Sequence, residues 1–120
     1  MATRSHIGKQ LEDGSISYIY CHWDGYPEHN GKILKEHYTD ETKVDALLEL
    51  GDLSILGPEI GEKQDFNDHS TYNENWCLAY GRDRGEQNVD AHITTDWTEF
   101  MDEGHAYLYE GGIWTSFKNC

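Results

Sequence analysis

The chain has 120 residues, with 23 acidic and nine basic side chains and a formal net charge of −14. No run of about 18 apolar residues occurs, which excludes a membrane-spanning helix, and so acidic a balance argues against direct binding of a phosphate backbone, which needs clustered Lys and Arg. High charge alone would favour disorder, but eight Tyr, four Trp and three Phe supply core material, so a folded domain is expected.

In chain order, Thr3–Gln10 and Ser15–His22 flank a turn at Asp13-Gly14 and read as an opening β-hairpin. Its second strand carries apolar or aromatic residues on both faces, so cover on both sides is expected. Trp23–Gly31 is too rich in Gly, Pro and Asn for a regular element. Lys32–Tyr38 places Ile33/His37 and Leu34/Tyr38 four apart, the spacing of a helix face. A second helix, Asp40–Leu50, is capped by Thr39 or Asp40. Val44, Leu47 and Leu48 form its apolar stripe, and Gly51 follows where a terminating glycine belongs.

Leu53–Gly61 reads as an apolar connector and Glu62–Glu74 as a long mobile loop. Trp76–Tyr80 has the composition of a central strand, and Arg82–Gln87 that of a polar loop. Asp96–Met101 reads as a short helix capped by Asp96. Gly111-Gly112 joins His105–Glu110 to Ile113–Lys118 in a closing hairpin. These elements predict one compact α+β domain over residues 1–120. Its mostly antiparallel sheet should have about five strands, with about two to three short helices packed on one face.

Three cysteines without a CxxC pair make a disulfide framework improbable on spacing grounds. With no apolar signal region in Met1–Ile7, a reducing cytoplasm is the expected setting.

Two stretches concentrate chemistry. In Tyr20–His29, Trp23 and Tyr26 could stack a ligand while His22 and Asp24 hydrogen-bond it. The alternative makes the two aromatics core residues and Asp24-Gly25 a turn. In Tyr80–Glu86, Arg82 and Arg84 could clasp an anion, or else pair with the protein's own carboxylates. Cys21, His22, His29, His37, His69, His92 and His105 are dispersed and show no metal-ligand spacing, so neither a metal nor another cofactor is expected. No nucleophile motif is present, and the chain is not expected to be an enzyme. Glu41, Asp45 and Glu49 recur every four residues along the solvent side of the second helix, making them a candidate partner-binding face.

Four motifs occur in order: Thr3-Arg4-Ser5-x-Ile7-Gly8, Ile19-Tyr20-Cys21-His22-Trp23-Asp24-Gly25-Tyr26-Pro27-Glu28, Leu50-Gly51-Asp52-Leu53-Ser54-x-Leu56-Gly57 and Tyr80-Gly81-Arg82-Asp83-Arg84-Gly85-Glu86. Together they resemble a family of small acidic proteins of tailed bacteriophages and prophages. The resemblance implies a host bacterial cytoplasm, where small acidic phage proteins resemble inhibitors of anti-CRISPR or anti-restriction type. The expected partner is then a basic surface of a host protein, such as a defence nuclease complex, with self-association left open. The competing expectations are sequestration of a small nucleotide signal and a small metal-dependent enzyme.

Size scaling gives an exposed surface of roughly 6,700 Å², hence about 480 Å² per net charge. Duplex DNA carries one charge per roughly 100 Å². Imitation of nucleic acid over the whole surface fails by several-fold, and only a clustered acidic face could achieve it.

Like charges crowded on a small surface repel one another, and salt screens that repulsion. The melting temperature should therefore climb across a sodium chloride series before levelling. A flat or falling curve would show that the carboxylates are already neutralised or well separated.

Overall fold

The computed structural model describes residues 3–68, 70, 72–102 and 104–118, with the side chain of Lys118 excepted. The opening hairpin forms as its turn chemistry dictates. Asp13 Oδ1 accepts from the Ser15 backbone N–H at 2.9 Å, while β1 (Ser5–Gln10) and β2 (Ile16–Cys21) pair antiparallel with Ile7 opposite Ile19. This hairpin is the middle of the sheet. On the β1 side lie β6 (His105–Glu110), parallel to β1, and then β7 (Ile113–Lys118), antiparallel to β6. On the β2 side lie β3 (Leu53–Ile55), parallel to β2, and β4 (Leu78–Ala79), antiparallel to β3. The short β5 (His92–Thr94) pairs antiparallel with the first half of β2.

The architecture is α+β, as expected, but the seven-stranded sheet is mixed and not mostly antiparallel. Alternating side chains identify a strand without giving its direction. Direction follows from the connections: the chain leaves β2, runs through two helices and returns beside it, a crossover that makes β3 parallel.

The helices follow their local signals more closely. The Asp40 side chain accepts from the Thr42 N–H at 2.8 Å and caps α2 (Glu41–Glu49). Val44, Leu47 and Leu48 are buried against the sheet, together with Leu34 of α1 (Lys32–His37). Asp96 caps α4 (Trp97–Phe100) in the same way, through the Thr98 N–H. α4 does not join the other helices. Its Phe100 packs with Ile16, Tyr18, Ala106 and Leu108 on the opposite face of the sheet, so helices cover both faces and not one. Buried His6 anchors that cover by donating from Nδ1 to the Phe100 carbonyl at 2.7 Å.

Four other segments depart from expectation. Pro27–Gly31 is a π-helical turn leading directly into α1, in place of an irregular loop. The connector after α2 contains β3, whose Leu53 and Ser54 carbonyls accept from the His22 and Trp23 N–H groups. Trp76–Tyr80 yields only the two residues of β4, at the edge of the sheet and not its centre. Arg82–Gln87 is not wholly a loop either, because Tyr80–Arg84 form α3, which ends at Gly85 in the left-handed conformation. Among its described residues the segment from Glu62 to Glu74 forms no named helix or strand, and His69 and Thr71 lie outside the described residues. It is nevertheless tied down at buried Gln64, as described below.

Leu47 is fully buried between α2 and the sheet. Leu47→Ala should cost roughly 2–5 kcal/mol in urea denaturation. A loss within experimental error would show that the helix carries little of the core.

Candidate functional site

The segment after β2 presents two aromatics to solvent. Trp23 is 42% and Tyr26 37% exposed, so neither is a core residue. The His22 ring stands edge-on to Trp23 at 4.7 Å, and its Nδ1 lies 2.7 Å from the Tyr20 hydroxyl. Asp24 takes φ +56°, a left-handed conformation that Asp tolerates better than most residues. The Gly25 N–H donates to the Thr3 carbonyl at 2.7 Å. Behind the segment, buried Asn30 donates from Nδ2 to Ser5 Oγ and to the Trp23 carbonyl. The negative charge of Asp24 pushes the exposed Tyr26 hydroxyl above its ordinary range. The result is a ledge: His22, Trp23, Asp24 and Tyr26 share one short segment with a firm backing.

Arg82 and Arg84 belong to a different part of the fold. Arg82 turns inward. Its Nη1 donates to the Ile60 carbonyl at 2.8 Å, Nη2 to the Cys77 carbonyl at 2.7 Å, and Nε to Asp83 Oδ1 at 3.0 Å. Asp83, whose side chain is fully buried, also accepts from the Gln64 N–H at 2.8 Å and the Ala79 N–H at 2.7 Å. Gln64 Nε2 then donates to the Cys77 carbonyl, and Gln64 Oε1 accepts from the Asn73 N–H. Arg82 is thus committed to holding the fold, as the internal-pairing alternative expected. Arg84 lies over the Phe66 and Tyr80 rings at 4.8 and 4.9 Å and pairs with Glu86 at 2.7 Å. Among the described residues, the partners of these arginines lie in segments 60–66 and 77–86 and not in the His22–Tyr26 ledge.

The acidic stripe of α2 is divided. Lys9, reaching across from β1, places its ammonium 2.8 Å from both Glu41 and Asp45. These partners raise the Lys9 pKa, with Asp45 contributing most. Glu49, one turn further on, pairs with no cation among the described residues. It lines two adjoining grooves that share it with Asp90. One groove, of about 530 Å³, lies between α2 and the β2–β5 side of the sheet, with Asp45 on its wall and Leu48 and Ala91 among its apolar lining. The other, of about 480 Å³, runs on past Gly81 and Glu86.

The wall opposite α2 is fixed by Gly51. There φ is +77°, and a Cβ would stand 2.2 Å from the Val89 carbonyl oxygen, which accepts from the Asp52 N–H at 2.7 Å. Only glycine meets both constraints, so segment 86–90 is held tight against the end of α2. The sequence pointed to Glu41, Asp45 and Glu49. It gave no hint of Lys9, because that contact spans 36 residues, or of Asp90, which lies in an otherwise unremarkable polar run.

Among the described residues, no group of three His, Cys, Asp or Glu side chains converges as a metal site would require; His69 and Cys120 lie outside them. Burial pushes the Cys21 thiol up to about 12 and raises that of Cys77 as well, which keeps both in the protonated, weakly nucleophilic form. No helix is long and apolar enough to cross a membrane. No family model, curated protein or solved structure matches the chain. The likeness to phage proteins therefore rests on the four sequence motifs alone.

Removing one partner of a buried ion pair leaves the other charge uncompensated. Asp83→Ala should cost about 3–5 kcal/mol and deprotect the Gln64 and Ala79 amides in hydrogen exchange. Wild-type protection at both amides would show that the carboxylate does not hold this region.

Proposed function

We propose that the protein is an acidic inhibitor that occupies a basic surface of a host protein, using the trough between α2 and segment 86–91. One observation carries the reading: Glu49 and Asp90 line both adjoining grooves, and neither pairs with a cation of its own chain among the described residues. A Lys or Arg side chain from a partner could lay its methylenes against Leu48 and Ala91 and bring its charge to these carboxylates. The phage-like motifs support a bacterial host cytoplasm as the setting and a defence nuclease complex as the partner. The exposed surface of 6800 Å² gives about 490 Å² per net charge, so this is local complementarity and not imitation of a duplex. The protein would block a nucleic-acid-binding surface without itself binding nucleic acid.

The exposed ledge of Trp23 and Tyr26 favours a second reading, in which the protein sequesters a small aromatic ligand such as a nucleotide. Mass spectrometry of ligand released from denatured protein separates the two. A copurifying nucleotide would favour sequestration.

The inhibitor reading is tested with Glu49→Lys/Asp90→Lys against a control of equal charge change, Glu62→Lys/Glu74→Lys. A basic peptide, or a host partner recovered by pull-down, should bind the trough variant at least ~10-fold more weakly than the control, a difference of about 1.4 kcal/mol. Wild-type binding should weaken steeply with sodium chloride. Equal losses in the two variants would mean that bulk charge, and not the trough, does the binding.

A further inference from the structure

Among the described residues the sheet has three free edges, and the protein treats them differently. β4 has only two residues, and backbone groups in it and just before it are capped: Asp83 accepts from the Ala79 N–H, while Arg82 and Gln64 donate to the carbonyl of the preceding Cys77. β5 has three residues, too few for an extended ladder. β7 has six. Residues 113–117 (Ile-Trp-Thr-Ser-Phe) contain no charge and no proline, its pairing with β6 runs without a bulge, and Ile113 is 67% exposed. Proteins usually blunt a long edge with charge, proline or a bulge. Between Ile113 and Phe117 this one has none of the three, and the single charge of the strand is Lys118 at its end.

The hairpin turn fixes which backbone groups point outward. Gly111 and Gly112 have φ +58° and +87°, as in a two-residue type I′ turn, so Glu110 and Ile113 form a hydrogen-bonded pair. Alternation then directs the N–H and C=O groups of Ile113, Thr115 and Phe117 towards β6. Those of Trp114, Ser116 and Lys118 face the free edge.

We infer that this edge pairs with the same edge of a second copy, β7 antiparallel to β7 about a two-fold axis at Ser116. In that register Ser116 meets its own counterpart and Trp114 meets Lys118. All the outward groups of these three residues are then satisfied, because the pattern is self-complementary.

Charge favours a second copy at this place. The chain carries −14 in all, yet the groove beside Ser116, floored by Tyr107, presents Lys32 and Lys35 of α1 with Glu28 and Glu36. Two positive and two negative groups beside the uncharged run 113–117 form a patch that can face itself under two-fold symmetry without strong repulsion, with Lys118 of each copy opposite Trp114 and not opposite another charge. Elsewhere, like charges would oppose the approach of another copy. Dimerisation should consequently strengthen with salt, the reverse of the salt response of the acidic trough.

Analytical ultracentrifugation across protein and sodium chloride concentrations tests this. The sedimenting mass should double as either rises, and the Trp114, Ser116 and Lys118 amides should gain exchange protection in step. Ser116→Pro removes only an outward N–H and is compatible with an edge position. It should leave circular dichroism unchanged and abolish the dimer. Ser116→Lys, which sets like charges opposite each other on the axis, should do the same. A protein that sediments as a monomer throughout would overturn the inference. So would a dimer that survives both substitutions or leaves those three amides unprotected.

Discussion

The buried carboxylate of Asp83 is the point on which the second half of the fold turns. One side chain satisfies the backbone of Gln64, the edge residue Ala79 and the guanidinium of Arg82, and Arg82 in turn holds the Ile60 and Cys77 carbonyls. These groups come from the irregular segment, from β4 and from α3. A charge in the interior is favourable only when every lone pair and proton around it is matched, and here they are matched.

The same economy governs charge at the surface. Lys9, Lys43, Arg82 and Arg84 each pair with a carboxylate of the chain itself. Apart from the buried Arg82–Asp83 pair, such pairs contribute only about 0–1 kcal/mol each, so their effect is less on stability than on where charge remains. In the first two turns of α2 Lys9 offsets one of the two charges of Glu41 and Asp45, while the last turn and segment 86–91 keep Glu49 and Asp90 without that compensation. α1, with Lys32 and Lys35 beside Glu28 and Glu36, is left balanced. A uniform net charge thus becomes a surface with an acidic trough and a neutral edge.

What could be read from the sequence was whatever is encoded within a few residues. Asp40 and Asp96 cap the helices they were expected to cap, Asp13-Gly14 and Gly111-Gly112 turn the expected hairpins, and Val44, Leu47 and Leu48 lie buried together. Strand direction was not legible, because β3 and β6 are oriented by connections tens of residues long. β5 escaped notice because His92-Ile93-Thr94 has no alternation to speak of and takes its place only by pairing with β2. The site followed the same rule. The ledge at His22–Tyr26 could be located from local composition. The inward turn of Arg82 and the reach of Lys9 into α2 depend on partners 22 and 36 residues away.

The parallel pairing of β1 with β6 sets a timetable for synthesis. Ser5 finds its partner in His105, about 100 residues later, so at roughly 5–20 residues per second β1 waits some 5–20 s for its second neighbour. Throughout that wait one side of the future central strand is open. The hairpin with β2 can form early, but the cover supplied by α4, Ala106 and Leu108 arrives only after Phe100 and β6 have been made. Ile16 and Tyr18 stay uncovered in the meantime, so the nascent chain is liable to stick until α4 and β6 have emerged. A truncated product lacking the β6–β7 hairpin would carry that open strand permanently, and the cell would have to remove it.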